Sequence, residues 1–199
     1  MIAMEQSGKV VMSKAIPVLL ALLLLASCGG DDGKDETTDG ADTGLCPQAK
    51  VVDHCFVPGG DCTGMITHWI GKARTQILVQ AYSFTSEPIA LALVEAKERG
   101  VEVRVVLDKS QPHAKGNQIH TMLDANIPVK IEHMPGIAHN KIMIIDSEWV
   151  ETGSFNYTDS AQRRNAENAL VFSGCGVDDY QRNWHKNATK AKAYRDEEE

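Results

Sequence analysis

Between His139 and Asn156 the chain reads H-N-K-I-M-I-I-D-S-E-W-V-E-T-G-S-F-N. The apolar run Ile142 to Ile145 has the length and composition of a strand buried on both faces. A buried strand accounts for the apolar residues but not for the polar ones around them. His139, Lys141 and Asp146 are spaced as H-x-K-x4-D, and after six intervening residues Gly153, Ser154 and Asn156 form G-S-x-N. Six residues fixed at these offsets would arise by chance in a chain this size only about a few times in a million, at roughly one in twenty per position.

These residue types suit phosphodiester cleavage. That reaction needs a nucleophile, a cation to offset charge on the phosphoryl oxygens, and an acid for the leaving alkoxide. A neutral His139 ring can attack if its other nitrogen is anchored in one tautomer. Lys141, two residues along a strand, shares the face of His139 and supplies positive charge. Ser154 and Asn156 share a face by the same period and can donate hydrogen bonds to a phosphate. Two-metal hydrolysis needs converging carboxylates. The dense acidic run Asp31 to Glu36 lies in a linker, and Asp178-Asp179 reads as a helix start. Neither a metal nor another cofactor is expected.

The motif resembles the signature of the phospholipase D superfamily, in the form found in small single-motif bacterial endonucleases. P-G-G-D-C-T, Q-A-Y-S-F-T-S-E-P-I-A, L-D-K-S-Q, T-G-S-F-N-Y-T and N-A-E-N are also similar to family segments, in family order, from about Val51 to Trp184. The resemblance implies a metal-independent, sequence-nonspecific endonuclease working through a covalent phosphohistidine. It implies that Glu167 anchors the histidine nucleophile, and it leaves Asp146 and Gly153 structural roles. Family chemistry uses two histidines and this chain has one H-x-K-x4-D, so a homodimer with both motifs at its two-fold axis is implied. A phospholipase D releasing phospholipid headgroups, in lipid degradation, would use the same residues. Another superfamily phosphodiesterase or phosphatidyl transferase, and a non-catalytic surface lipoprotein, are further alternatives.

Taken in order, residues 1–28 read as a lipoprotein signal peptide. Lys9 and Lys14 precede an apolar run from Ala15 to Ala26, too short to span a bilayer, and L-A-S-C resembles a bacterial lipobox with Cys28 as the lipidated residue. Residues 29–44, G-G-D-D-G-K-D-E-T-T-D-G-A-D-T-G, lack any apolar residue larger than alanine and read as an acidic disordered tether. Residues 45–195 form the domain and 196–199 an acidic tail. An exported, membrane-anchored protein on the periplasmic or cell-surface side is expected.

Within the domain, Val51 to Val57 reads as a strand, followed by a helix capped by Asp61 or Thr63 with Ile66, Trp69, Ile70 and Ala73 on one face. Ile77 to Phe84 is a second strand. A helix from Ser86 to a stop at Gly100 follows, then a strand from Val101 to Leu107. A helix around Lys115 to Ala125 precedes a strand from Val129 to His133. Asp146-Ser147-Glu148 is a tight turn into Trp149–Thr152, Ala169 to Phe172 is one more strand, and a last helix starts at Asp178 or Asp179. This alternation argues for a three-layer α/β domain, α-β-α, with a mixed, largely parallel central sheet.

Without Cys28, four cysteines remain, Cys46, Cys55, Cys62 and Cys175, an even set suited to disulfides in an oxidising compartment. A zinc site from Cys46, Cys55, Cys62 and His54 is the weaker idea, because no C-x2-C spacing supports it. From Leu45 onward, 17 Lys and Arg face 20 Asp and Glu, a net charge of −3, where a nucleic-acid tracker usually shows a basic face. Lys109, Lys115, Lys130, Lys141, Arg163 and Arg164 are the cations available to line one cleft. Of the remaining histidines, His113, His120 and His133 lie near the motif, yet ordinary surface or core positions fit each better. Binding to nucleic acid is expected to be weak, salt-sensitive and indifferent to sequence.

Overall fold

The computed structural model describes residues 48–195. The expected signal peptide with Cys28, the tether, Cys46 and the acidic tail 196–199 lie outside the described residues.

Eight strands form one sheet: β1 (Lys50–Val57), β2 (Gln76–Ala81), β3 (Glu102–Asp108), β4 (Val129–Glu132), β5 (Lys141–Ile145), β6 (Trp149–Gly153), β7 (Glu167–Ser173) and β8 (Lys192–Ala193). Among the described residues five α-helices accompany them: α1 (Cys62–Lys72), α2 (Glu87–Glu98), α3 (Ile119–Asp124), α4 (Asp159–Arg163) and α5 (Val177–Lys190). The order across the sheet is β1-β7-β6-β5-β2-β3-β4-β8. The sheet is mixed, but the expectation that it is largely parallel is corrected. Only β2–β3 and β3–β4 pair in parallel; the other five ladders are antiparallel. Helical crossovers exist only where α2 and α3 link parallel neighbours. From β5 to β7 the chain instead winds back and forth, which forces antiparallel pairing.

Side chains alternate across the sheet and build two cores. Ile77, Val79, Val103, Met143 and Ile145 pack with Ile66 and Ile70 of α1 and Ile89 and Leu93 of α2. Leu78, Val106, Ile142, Ile144 and Val150 meet Val177, Trp184 and Ala188 of α5 on the opposite face. β5 is therefore buried on both sides, which is why its sequence is an apolar run with no alternation.

Local signals explain most boundaries. The Asp61 carboxylate accepts the Gly64 N–H at 2.8 Å and starts α1. Ser86 caps α2 without a side-chain bond, and Gly100, at φ 92°, ends that helical stretch. The helix expected from Lys115 begins only at Ile119, because Gly116 turns at φ 75° and the Asn117 side chain accepts the Ile119 N–H at 3.1 Å. α4 and β8 were not foreseen. Cys55 pairs with Cys62 in a disulfide, which removes both thiolates from the zinc alternative, and Cys175 is disulfide-bonded too.

Candidate active site

Four strand ends meet at one edge of the sheet. Lys141 of β5 lies opposite Ala81, the last residue of β2, while Gly153 closes β6 beside Ala169 of β7. Since β5 and β7 run opposite to β2 and β6, their amino ends share an edge with the carboxyl ends of β2 and β6. His139, Lys141, Ser154 and Glu167 gather there.

Several groups hold the segment entering β5. Buried Asp108, at the end of β3, accepts the Ala138 N–H at 2.6 Å and the Ser110 N–H at 2.9 Å. Burial would raise this carboxyl, but those bonds outweigh it and keep the group below the usual carboxylate range. The Tyr82 N–H donates to the Asn140 carbonyl at 2.9 Å, and the Tyr82 ring packs 4.8 Å from the exposed His139 ring. The ammonium of Lys141 lies 5.3 Å from the centre of the same Tyr82 ring and donates to the His139 carbonyl at 2.7 Å. Lys141 is only 4% exposed, and burial pulls its ammonium below the ordinary lysine range while nearby Glu167 pushes it back up.

Across the site, Ser154 Oγ donates to Glu167 Oε2, and Asn165 Nδ2 donates to Glu167 Oε1 at 2.8 Å. The Asn168 N–H returns a bond to Ser154 Oγ at 3.1 Å. Glycine is required at position 153, where a Cβ would lie 2.2 Å from the Asn168 carbonyl oxygen. Asn156 sits on the same turn with its Oδ1 buried and unpartnered among the described residues. The Glu167 oxygens accept from Ser154 and Asn165, and no hydrogen bond joins Glu167 to the His139 ring in the single chain. No hydrogen bond reaches the His139 ring from the described residues.

Asp146 stands at the far end of β5, about 17 Å from Lys141 along the strand. Its oxygens accept the N–H groups of Arg74, Thr75 and Gln76 at 3.0, 2.8 and 3.0 Å, and the Thr75 hydroxyl at 2.9 Å. Asp146 and Ser147 both have positive φ, 54° and 56°, and Glu148 N–H closes the turn on the Ile145 carbonyl at 3.0 Å. Asp146 thus ties the turn after β5 to the start of β2.

Motif reasoning passed over Tyr82, Asp108, Asn165 and Asn168, although each lies in a segment already set apart, Q-A-Y-S, L-D-K-S or N-A-E-N. It also passed over Glu151 and Tyr157. Glu151 is buried in β6, and its Oε2 accepts the Tyr157 hydroxyl at 2.6 Å. The Tyr157 carbonyl accepts both Thr85 and Ser86 N–H at 2.9 Å, so this pair pins the turn carrying Ser154 and Asn156. Burial pushes the Glu151 carboxyl up to about 8, against the lowering effect of the Tyr157 bond. A polar residue at an inward position of a hairpin strand was the available signal.

The six cations do not converge on one cleft. Lys130 donates to the Ala188 carbonyl at 2.8 Å on the α5 side, and Arg163 pairs with Asp159 on α4. Lys109, His113 and His133 do share a cavity. Among the described residues, no group of three or more His, Cys, Asp or Glu side chains is placed to hold a metal ion, and no helix is long and apolar enough to cross a membrane.

A family model described as "Cardiolipin synthase, PLD-like domain" matches residues 66–187. A protein named phospholipase D from Rickettsia conorii is 43% identical over 134 residues, covering 67% of each chain. Human mitochondrial cardiolipin hydrolase is 30% identical over 143 residues, 68% of this chain and 57% of its own. Among solved structures, the phospholipase D family member Nuc from Salmonella typhimurium superposes with TM-score 0.69 at 33% identity, covering 74% of this chain and 99% of Nuc. NucT from Helicobacter pylori superposes with TM-score 0.68 at 22% identity, a likeness of fold.

Proposed function

The chain belongs to the phospholipase D superfamily and is a phosphodiesterase of it, and we propose that it is a metal-independent, sequence-nonspecific endonuclease cutting DNA or RNA through a phosphohistidine. The observation that carries the proposal is the Lys141 ammonium. It is buried against the His139 carbonyl and the Tyr82 ring, and no carboxylate among the described residues is in salt-bridge contact with it. A desolvated cation without an ion pair is a place for an anion.

In the proposed reaction a neutral His139 nitrogen attacks phosphorus. A P–N bond forms, the P–O bond to the leaving group breaks, and the departing oxygen takes a proton from a second histidine. Water then attacks the phosphohistidine, giving its proton to that second ring, and the P–N bond breaks. Lys141, Ser154 and Asn156 bind the phosphoryl oxygens. The second histidine is His139 of another copy, so the enzyme acts as a homodimer. The unanchored His139 ring and the orphaned Asn156 oxygen support a site that a single chain leaves incomplete. A lipid anchor on Cys28, holding the domain at a membrane by the 29–44 tether, is part of the same proposal and rests on the lipobox sequence.

The second reading, a phospholipase D acting on headgroups, is favoured by five Rickettsia relatives of that name, from 43% to 41% identical. Wild-type protein and His139→Ala, each in excess EDTA, decide between them on plasmid DNA, single-stranded RNA and phosphatidylcholine vesicles. Nucleic-acid cleavage that survives EDTA and is lost in the variant is expected. Headgroup release alone establishes the phospholipase, and cleavage abolished by EDTA refutes the histidine mechanism.

A further inference from the structure

Positive charge collects a second time on the sheet edge that carries His139. A cavity of about 490 Å³ is lined by Lys109, His113, His133, Lys192, Tyr194 and Arg195, with no carboxylate among the described residues of its wall. Lys109 follows the last residue of β3 and His133 the last residue of β4, so both project from the carboxyl edge where β5 begins. Lys109 Nζ donates to the Met134 carbonyl at 3.0 Å, tying the cavity to the loop that delivers His139. Three exposed arginines elsewhere pair with a near neighbour in sequence, Arg104 with Glu102, Arg163 with Asp159 and Arg182 with Asp179. Lys192 and Arg195 meet no carboxylate among the described residues.

We propose that this cavity is a second phosphate site, which takes the sugar-phosphate backbone of a polynucleotide a few nucleotides from the bond being cut. The proposal rests on the nuclease reading and deepens it. From β5 there are three strand spacings to β4 and four to β8, about 14 to 19 Å at about 4.8 Å each. At about 3.4 Å of rise per nucleotide in a duplex strand, that separation is roughly four to six nucleotides, and fewer in an extended single strand. A polynucleotide carries phosphates at both positions, whereas a headgroup phosphodiester offers one. Because its cations are local, the cavity lets a chain with a net charge of −3 from Leu45 onward hold a polyanion. Four acidic residues follow Arg195 in sequence, so the test uses the full chain.

The variant is Lys192→Glu with Arg195→Glu, leaving Lys109 to hold its loop. Its kcat/KM is compared with wild type on a 20-nucleotide single strand, a dinucleotide, bis(4-nitrophenyl) phosphate and phosphatidylcholine vesicles. Cleavage of the 20-mer is expected to fall at least roughly tenfold at low salt, with a salt slope shallower by about 1.4 for two lost phosphate contacts. The dinucleotide and the small diester are expected to stay within about twofold, since neither spans the gap. Lys192→Arg with Arg195→Lys is expected to restore the 20-mer. An unchanged 20-mer, or a loss shared equally with the small diester, overturns the proposal and leaves the nuclease intact. A selective fall in headgroup release overturns it in favour of a lipid site. Wild-type protein that hydrolyses the small diester but no polynucleotide refutes the nuclease reading itself.

Discussion

Glu151→Gln isolates one carboxyl buried beneath the G-S-x-N turn. The wild-type side chain is 1% exposed, its Oε2 takes the Tyr157 hydroxyl at 2.6 Å, and its Oε1 has no partner among the described residues. Burial lifts the group from its usual 4.5 to about 8, so the folded protein keeps it protonated at neutral pH while the unfolded chain ionises it. A folded-state value raised in this way favours folding fully below the unfolded value. The advantage is lost as pH rises toward the folded value. The loss amounts to about 1.4 kcal/mol per pH unit from 4.5 to about 8, on the order of 5 kcal/mol in all. Against a typical domain stability of roughly 5–15 kcal/mol, that is a large share.

Glutamine keeps the shape and an acceptor for Tyr157 but cannot ionise. Urea unfolding of both proteins at pH 5, 6, 7 and 8 therefore reads a difference in which every other titrating group cancels. Between pH 5 and 7 the variant should gain on wild type by about 2.7 kcal/mol, whatever constant offset the amide introduces. The gain should level off above about pH 8. Parallel stability profiles would refute the assignment of a protonated carboxyl and with it the account of how this turn is held.

Lys141→Met should lower kcat/KM on any phosphodiester the wild type cleaves by on the order of 10³-fold, as steady-state kinetics would show. Its unfolding free energy should hold or rise, because a desolvated ammonium is replaced by an apolar chain. Gly153→Ala would drive a Cβ to 2.2 Å from the Asn168 carbonyl oxygen, so β6 and β7 must part. A stability loss of about 1–3 kcal/mol is expected, with activity falling alongside it. Asp146→Ala removes the acceptor for three backbone N–H groups and a hydroxyl, a loss on the order of 3 kcal/mol by urea unfolding at pH 7. Those bonds outweigh burial and hold the carboxyl below its usual 3.8, so the contribution is present above that value and fades as pH falls through the folded one. At pH 7 and low temperature the folded fraction of Asp146→Ala should retain wild-type kcat.

Motif spacing exposed most of the site because its residues lie on adjacent strand ends, where sequence offset and spatial position nearly coincide. His139 and Lys141 share a strand, and Ser154 and Asn156 share a turn. What spacing could not show was which side chains the motif residues touch. Glu167 is close to Lys141, yet its oxygens hold Ser154 and Asn165, a choice set by three-dimensional packing of β7 against β6. Tyr82 and Asp108 act from strands 30 or more residues upstream, so no local period links them to His139. The share of parallel pairing was overestimated because alternation of strand and helix governs only the chain up to β4. Past that point the sequence has one clear turn, at Asp146, and the reversal from β6 to β7 is hidden behind the short helix α4. Glu151 was missed for the opposite reason. A lone acid between Val150 and Thr152 looks solvated until β7 and Tyr157 are known to cover it.

The four-residue gap in H-x-K-x4-D has a physical origin in the neighbouring strand. β5 lies antiparallel to β2 with Ala81 opposite Lys141 and Ile77 opposite Ile145. At one end of this ladder Tyr82 N–H reaches the Asn140 carbonyl, and at the other Asp146 N–H reaches the Gln76 carbonyl, both at 2.9 Å. The aspartate can grip the amides that start β2 only if the lysine stands beside the residue that ends it. The interval between Lys141 and Asp146 is thus the paired length of β2, measured along its partner. Slipping β5 by one residue would turn Lys141 out of the site and drive Ile142 and Ile144 toward the wrong core. The carboxylate clamp at Asp146 and the Asp108 bond to Ala138 therefore fix the register from both ends. The Asp108 bond, next to His139, holds it where placement errors of about 1 Å would cost activity.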